Sequence, residues 1–199
     1  GHPNQAIIGA GIGIDYSGHG HASIIFQFED GTYEEGNFGR YGGDVSHSSY
    51  VTAPIGQGTY AFDYNYYLGK DNKYIFFLNG NANDIAYAYN DRIRQSGYVD
   101  ETQKQGNVII NFDHNEKPIL ADEVRRIPNS TNDYNAFNNN CVTTSIFPLK
   151  VTLSWEDSIL RQLYKSWLPL DAGILLQEDF YLHEGDGLVS WIWRPDGNE

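Results

Sequence analysis

The chain has 199 residues, room for one ordinary domain with a sizeable core and too few for two large ones. With 40% hydrophobic residues, 15 Tyr, 10 Phe and 4 Trp, it is neither a disordered acidic tail nor a low-complexity linker. Thirteen basic against 26 acidic residues leave a net charge of −13 spread over both halves, a field that repels phosphate backbones and so excludes nucleic acid as an expected partner.

A single cysteine, Cys141, rules out an intramolecular disulfide framework and a cysteine-based structural zinc site. No apolar run approaches the roughly 18 residues of a membrane span, so stable membrane insertion is not expected. There is no methionine, and Gly1-His2 reads like a scar left by tag removal, which suggests a piece of a longer polypeptide.

The predicted elements follow in chain order. Residues 7–14 alternate apolar side chains with glycine, as a strand does where another group approaches closely. Gly9 and Gly11 begin a dinucleotide-binding spacing, but Ile14 occupies its third glycine position and no convincing helix follows. Residues 22–28 and 33–38 flank an Asp30-Gly31 turn and form the clearest hairpin. Residues 74–78 read as a buried central strand and 107–112 as another. Between them, Asn83 is placed to cap a helix carrying Ile85, Tyr89 and Ile93 at four-residue spacing, with Gly97 as its stop. A second helix is predicted over 155–168, capped by Ser154 and Asp157 and ended by Pro169; its face carries Trp155, Ile159, Leu163 and Trp167. Residues 187–193 supply a last strand, and the asparagine-rich stretch 129–140 a long polar loop. The fold class is therefore α+β, a mostly antiparallel sheet with packed helices in a single domain over 1–199.

Two local signals stand 120 positions apart, His21 and Cys141. Alone, a free cysteine reads as a small buried hydrophobe, and a histidine flanking an apolar strand as structural or solvated. Here a polar loop delivers the thiol to the start of an apolar segment. A helix beginning there would offer unpaired amides and a dipole that lower the thiol pKa and can receive an oxyanion. A histidine at the mouth of a sheet can take the thiol proton and return it to a leaving group, if a third polar residue holds the ring.

The pairing of Gly20-His21-Ala22-Ser23-Ile24 and its hairpin with Tyr134-Asn135-Ala136-Phe137-Asn138-Asn139-Asn140-Cys141 resembles the circularly permuted papain-like hydrolases. In those NlpC-type enzymes the histidine strands come first and the cysteine helix last, and relatives include the lecithin retinol acyltransferase group and toxin domains of Rhs or type VI secretion proteins. The resemblance spans about residues 5–150 and leaves 151–199 as a C-terminal extension of unknown role. It implies a permuted papain-like topology, Cys141 as nucleophile and His21 as base. The histidine's orienting residue would come from Tyr33-Glu34-Glu35-Gly36-Asn37. Glu35 is favoured, with Glu34 and Asn37 open: a two-residue turn puts Glu34 on the face of His21, whereas a bulge or three-residue loop puts Glu35 and Asn37 there. Two solvated acids beside a turn is the plain alternative.

The same resemblance implies a cysteine peptidase or amidase working through a thioester, without cofactor or metal. Its setting would be a secreted or delivered effector, with a peptide or peptidoglycan substrate and a cognate immunity protein. One departure is that Val142-Thr143-Thr144-Ser145-Ile146 is β-branched and a poor intrinsic helix former, and Pro148 should keep any helix short. The competing functions are a lipid acyltransferase or phospholipase using the same residues, and a non-catalytic tyrosine-rich module binding glycan or protein, with Cys141 inert.

Other candidates carry less. His19 and His21 project to one face of a strand, with His47, Asp113 or His114 as further metal ligands, but no third ligand sits at a telling spacing and His19 reads as a rim residue. His183 reads as part of a solvated turn, and Glu178, Asp179, Glu184 and Asp186 lack the spacing of a calcium loop. Tyr60, Tyr64, Tyr66, Tyr67, Tyr87 and Tyr89 are either half-buried framework or a groove lining.

Overall fold

The computed structural model describes residues 7–29, 31, 33–39, 49–55, 73–96, 111–112, 118–119, 137, 139–153 and 158–194. Its centre is a six-stranded sheet in which β1 (Ile7–Asp15), β2 (His21–Phe28), β3 (Tyr33–Gly39), β4 (Ser49–Ile55), β5 (Lys73–Leu78) and β8 (Val189–Trp193) lie in the order β4-β3-β2-β1-β5-β8. Every neighbouring pair is antiparallel, and among the described residues four helices accompany it: α1 (Ala82–Ser96), α2 (Cys141–Thr152), α3 (Ser158–Lys165) and α4 (Pro169–Leu182). The α+β class with an antiparallel sheet is thus what the chain adopts. Two-residue strands β6 (Asn111–Phe112) and β7 (Pro118–Ile119) pair with each other apart from the main sheet. The long strand predicted at 107–112 is therefore not part of that sheet where it is described, and residues 107–110 lie outside the described residues.

Strand alternation sorts side chains onto two faces. On one face, Ala10, Ile12 and Ile14 of β1, together with Ala22, Ile24, Phe26 and Phe28 of β2, join one large core with Ile85, Val142, Leu149 and Leu176 from the helices. The opposite face carries a smaller cluster, Ile25, Tyr33, Ile75 and Phe77, and beside it a buried polar group, Asp15, Ser23, Glu35 and Lys73.

The β2–β3 register decides which acid shares a face with His21. Gly31 adopts φ +85° and its N–H donates to the Phe28 carbonyl at 2.9 Å, a left-handed step that suits glycine. Ile25 then pairs with Glu35 and Ile24 with Gly36, one residue displaced from a two-residue turn. Glu35 and Asn37, not Glu34, take the register positions of the His21 face.

Several helix limits differ from those predicted. Asn81, not Asn83, caps α1: its Oδ1 accepts from the N–H groups of Asn83 at 2.9 Å and Asp84 at 3.2 Å. The second predicted helix is shorter, since α3 ends at Lys165, and Pro169 opens α4 rather than closing a helix. Proline forces its predecessor out of helical geometry while its own fixed φ suits a first helical position, and Leu168 is extended with ψ 126°. Ser154, Trp155 and Asp157 lie outside the described residues. Pro148 is enclosed within α2, which runs on to Thr152.

Residues after 150 complete the fold rather than hang from it. Strand β8 pairs along β5, and Ala172 and Leu176 of α4 are fully buried in the main core. Asp179 anchors this segment, accepting from the Val189 N–H at 2.8 Å. Among the described residues no helix is long and apolar enough to cross a membrane.

Candidate active site

Cys141 is the first residue of α2, and the capping of that helix explains what faces its sulfur. Asn140 and Thr143 form a reciprocal box: the Thr143 N–H donates to Asn140 Oδ1 at 2.9 Å and the Asn140 N–H to Thr143 Oγ1 at 2.8 Å. Thr144 N–H donates to the Asn140 carbonyl. Of the orphan donors at a helix start, those of Cys141 and Val142 are left, and both act on the Cys141 sulfur, joined by the N–H of Ala22 from β2. A β-branched helix persists because Val142, Thr144, Ile146 and Leu149 are buried, and that burial outweighs weak propensity.

The Ala22 amide is the peptide group that links it to His21, so the thiol lies against the backbone step leaving the histidine. His21 begins β2 half-buried, and in register it stands opposite Asp15. Thiol and histidine strand are therefore brought together from 120 positions apart.

Electrostatics at the sulfur depart from expectation. The amides and the Lys73 ammonium favour the thiolate, but burial is the larger influence and pushes the thiol above its ordinary range. Cys141 is only 5% exposed. The net shift is upward despite the helix start, because three amides and one cation do not replace the hydration lost on burial.

Glu35 is 1% exposed and is engaged by Lys73, whose Nζ lies 3.5 Å from Oε2. Lys73 Nζ also donates to Ser23 Oγ at 3.0 Å, and desolvation lowers its pKa against the pull of Glu35, Asp15 and Cys141. Asp15 stands in register between His21 and Lys73, with its Oδ1 accepting from Ser17 N–H at 2.9 Å. The sequence reading missed Asp15, Ser23 and Lys73. A lysine opening an otherwise apolar strand was the signal available.

The remaining candidates are scattered. Exposed His19 lies in the β1–β2 turn and exposed His183 at the end of α4. Asp179 is buried on Val189 as described, and Glu178, Glu184 and Asp186 are exposed. The side chains of Glu34 and Asn37, and all of His47, Tyr60, Tyr64, Tyr66, Tyr67, Asp113 and His114, lie outside the described residues. Among the described residues no group of three or more His, Cys, Asp or Glu is arranged to hold a metal ion. Tyr89 is buried in the core and Tyr87 half-buried on α1.

Beside the start of α2, Asn140 Nδ2 donates to the Trp167 carbonyl at 3.2 Å. The Trp167 ring meets Phe137 at 5.0 Å between centroids, and both rings are exposed. A cavity of about 460 Å³ continues from Trp167 between α3 and α4, floored by Ile174 and Leu175; Cys141 does not line it. Compared with protein-family models, curated proteins and solved structures, the chain matches none.

Proposed function

We propose that the chain is a cysteine hydrolase of permuted papain-like topology, cleaving an amide or ester through a covalent thioester. The observation that carries this reading is the Cys141 sulfur at the first position of a capped helix, against the amide that follows His21. Because burial favours the neutral thiol, proton transfer to His21 accompanies attack. The sulfur bonds to the carbonyl carbon, and the oxygen's developing charge is met by the Cys141 or Val142 N–H. His21 then protonates the leaving amine or alcohol, and water, deprotonated by the same imidazole, releases the acid and restores the thiol. The exposed Phe137–Trp167 pair offers an apolar shelf for the acyl side of a substrate. A secreted effector or toxin acting on peptidoglycan or a host protein is the setting the resemblance suggests.

The test uses peptidoglycan sacculi and a p-nitrophenyl ester as probes, with mass spectrometry for an acyl adduct on Cys141. Hydrolysis by the wild type that is abolished in Cys141→Ala and in His21→Ala supports the mechanism; full activity in either variant rejects it. A second reading, a non-catalytic binding module with an inert thiol, is favoured by the 5% exposure of Cys141. It predicts no adduct with either probe and no alkylation of the folded protein by iodoacetamide at any pH where the fold persists.

A further inference from the structure

Helices α3 and α4 are joined by the turn Ser166-Trp167-Leu168 and leave a solvent-open cavity between them. On its α4 wall Asp171, Ile174, Leu175 and Glu178 recur three or four residues apart, so they share one side of the helix, two apolar side chains between two carboxylates. From α3 come Gln162 and Lys165, three apart and likewise on one side. At the mouth stands Trp167, 42% exposed, a large ring of a kind that is mostly buried in folded proteins. The Phe137 ring meets it tilted by 56° rather than stacked flat, so Phe137 does not blanket the indole face. At about 460 Å³ the cavity has the size of a small-ligand site. Among the described residues, no hydrogen bond or ion pair occupies the side chains of Gln162, Lys165, Asp171 and Glu178.

The carboxylates accept hydrogen bonds, the Lys165 ammonium donates them and the Gln162 amide does both. Acceptors and donors thus surround an apolar floor, with a flat ring at the entrance. A ligand that matches all of these carries hydroxyls, each both donor and acceptor, around rings that have an apolar C–H face. A lipid tail would leave four polar side chains unpaired, and a basic peptide would be drawn to the carboxylates but repelled by Lys165. We propose that the α3–α4 cavity is a carbohydrate-binding site, in which a neutral sugar ring stacks on Trp167 and its hydroxyls bond to Gln162, Lys165, Asp171 and Glu178. The site adjoins the start of α2, since the Asn140 side chain donates to the Trp167 carbonyl, but it stands whether or not Cys141 is a nucleophile.

The experiment titrates the whole chain with cellotetraose and with chitotetraose, neutral oligosaccharides that differ in the N-acetyl group, and follows the indole N–H signal of Trp167 by NMR, assigned through its loss in Trp167→Phe. That signal should shift and saturate with at least one of the two, and the responding sugar tells whether the N-acetyl group is read. The dissociation constant should rise roughly tenfold in Trp167→Ala and in Glu178→Ala, for loss of one ring contact or one charge-assisted hydrogen bond. Trp191→Phe, at a ring stacked on Phe77 of the sheet, should stay within about twofold of wild type. Where Trp167→Ala does not fold, Glu178→Ala and Gln162→Ala, at two exposed positions, still decide. No shift with either sugar up to about 10 mM, or affinity unchanged by the cavity variants, overturns the proposal. An oligolysine peptide is titrated in parallel: a Trp167 response to it alone also overturns the proposal and makes the cavity a seat for a basic partner. The readout needs no turnover. Sugar binding without hydrolysis fails only the enzymatic reading, and hydrolysis without sugar binding fails only this one.

Discussion

Gly13 lies directly under the side chain of Lys73, close enough that a Cβ on the glycine would come within 2.7 Å of Cε and of Ser23 Oγ. Both neighbours are buried and hydrogen-bonded to each other, so making room disturbs a buried hydrogen bond. Gly13→Ala is expected to cost about 1–3 kcal/mol, the usual penalty for overpacking a filled site, measured as a urea midpoint. Gly9 provides the contrast: a Cβ there meets the flexible end of Gln27 at 3.0 Å, and Gly9→Ala should cost less than Gly13→Ala.

The thiol of Cys141 is held above its ordinary range, chiefly by burial. A folded-state pKa raised above the unfolded value contributes stability that is complete below about pH 8.5, the ordinary thiol value, and is lost as pH rises through the folded pKa. The stability difference between wild type and Cys141→Ala should therefore shrink as pH rises from 8 toward the alkaline limit of the fold, with any cavity cost constant throughout. Urea titrations of both proteins across that range check it; a difference that widens with pH contradicts the assignment.

Tyr16 packs its hydroxyl against Gly173 of α4, where any Cβ would collide with it, and its ring meets Tyr74 edge-on at 4.9 Å. Among the described residues that buried hydroxyl has no hydrogen-bond partner, and burial raises its pKa. By the same sign, its contribution is present below about pH 10 and disappears above it. Tyr16→Phe is expected to be neutral or to stabilise by up to about 1 kcal/mol at pH 7, because it removes an unsatisfied polar atom, and to hold its denaturation midpoint better than wild type above pH 10.

The Asn140 side chain accepts from the Thr143 N–H and donates to the Trp167 carbonyl. Asn140→Ala should cost about 0.5–2 kcal/mol of stability through loss of the cap. It should also speed alkylation of Cys141, because the first turn of α2 loosens around the sulfur. Thr143→Val removes only the hydroxyl's share of the box and should cost less on both measures, followed by thermal melts and iodoacetamide kinetics.

Periodicity in the chain made β1, the β2–β3 hairpin, β5, β8 and α1 readable, because each carries its own pattern of apolar residues and turn signals. It misled at Pro169, where one residue both terminates and starts helices, and at α4, whose apolar residues lie around most of its circumference. At the candidate site, Cys141 and His21 were singled out by their local surroundings. Lys73 left only the faint mark of a lysine opening an apolar strand and Asp15 none, since their placement comes from strands β1, β2 and β5 lying side by side.

The amino-acid sequence by itself determined the class of fold, the acidic surface and the two segments in which a thiol and an imidazole lie, since these follow from composition and short-range pattern. Tertiary structure decided the rest. The one-residue register at Gly31 gave Glu35 the face of His21, Lys73 then took Glu35 as its partner, and burial of Cys141 reversed the direction in which a helix start alone would shift its thiol. Register and desolvation depend on which distant strands and helices meet, and that is information no local stretch of chain carries.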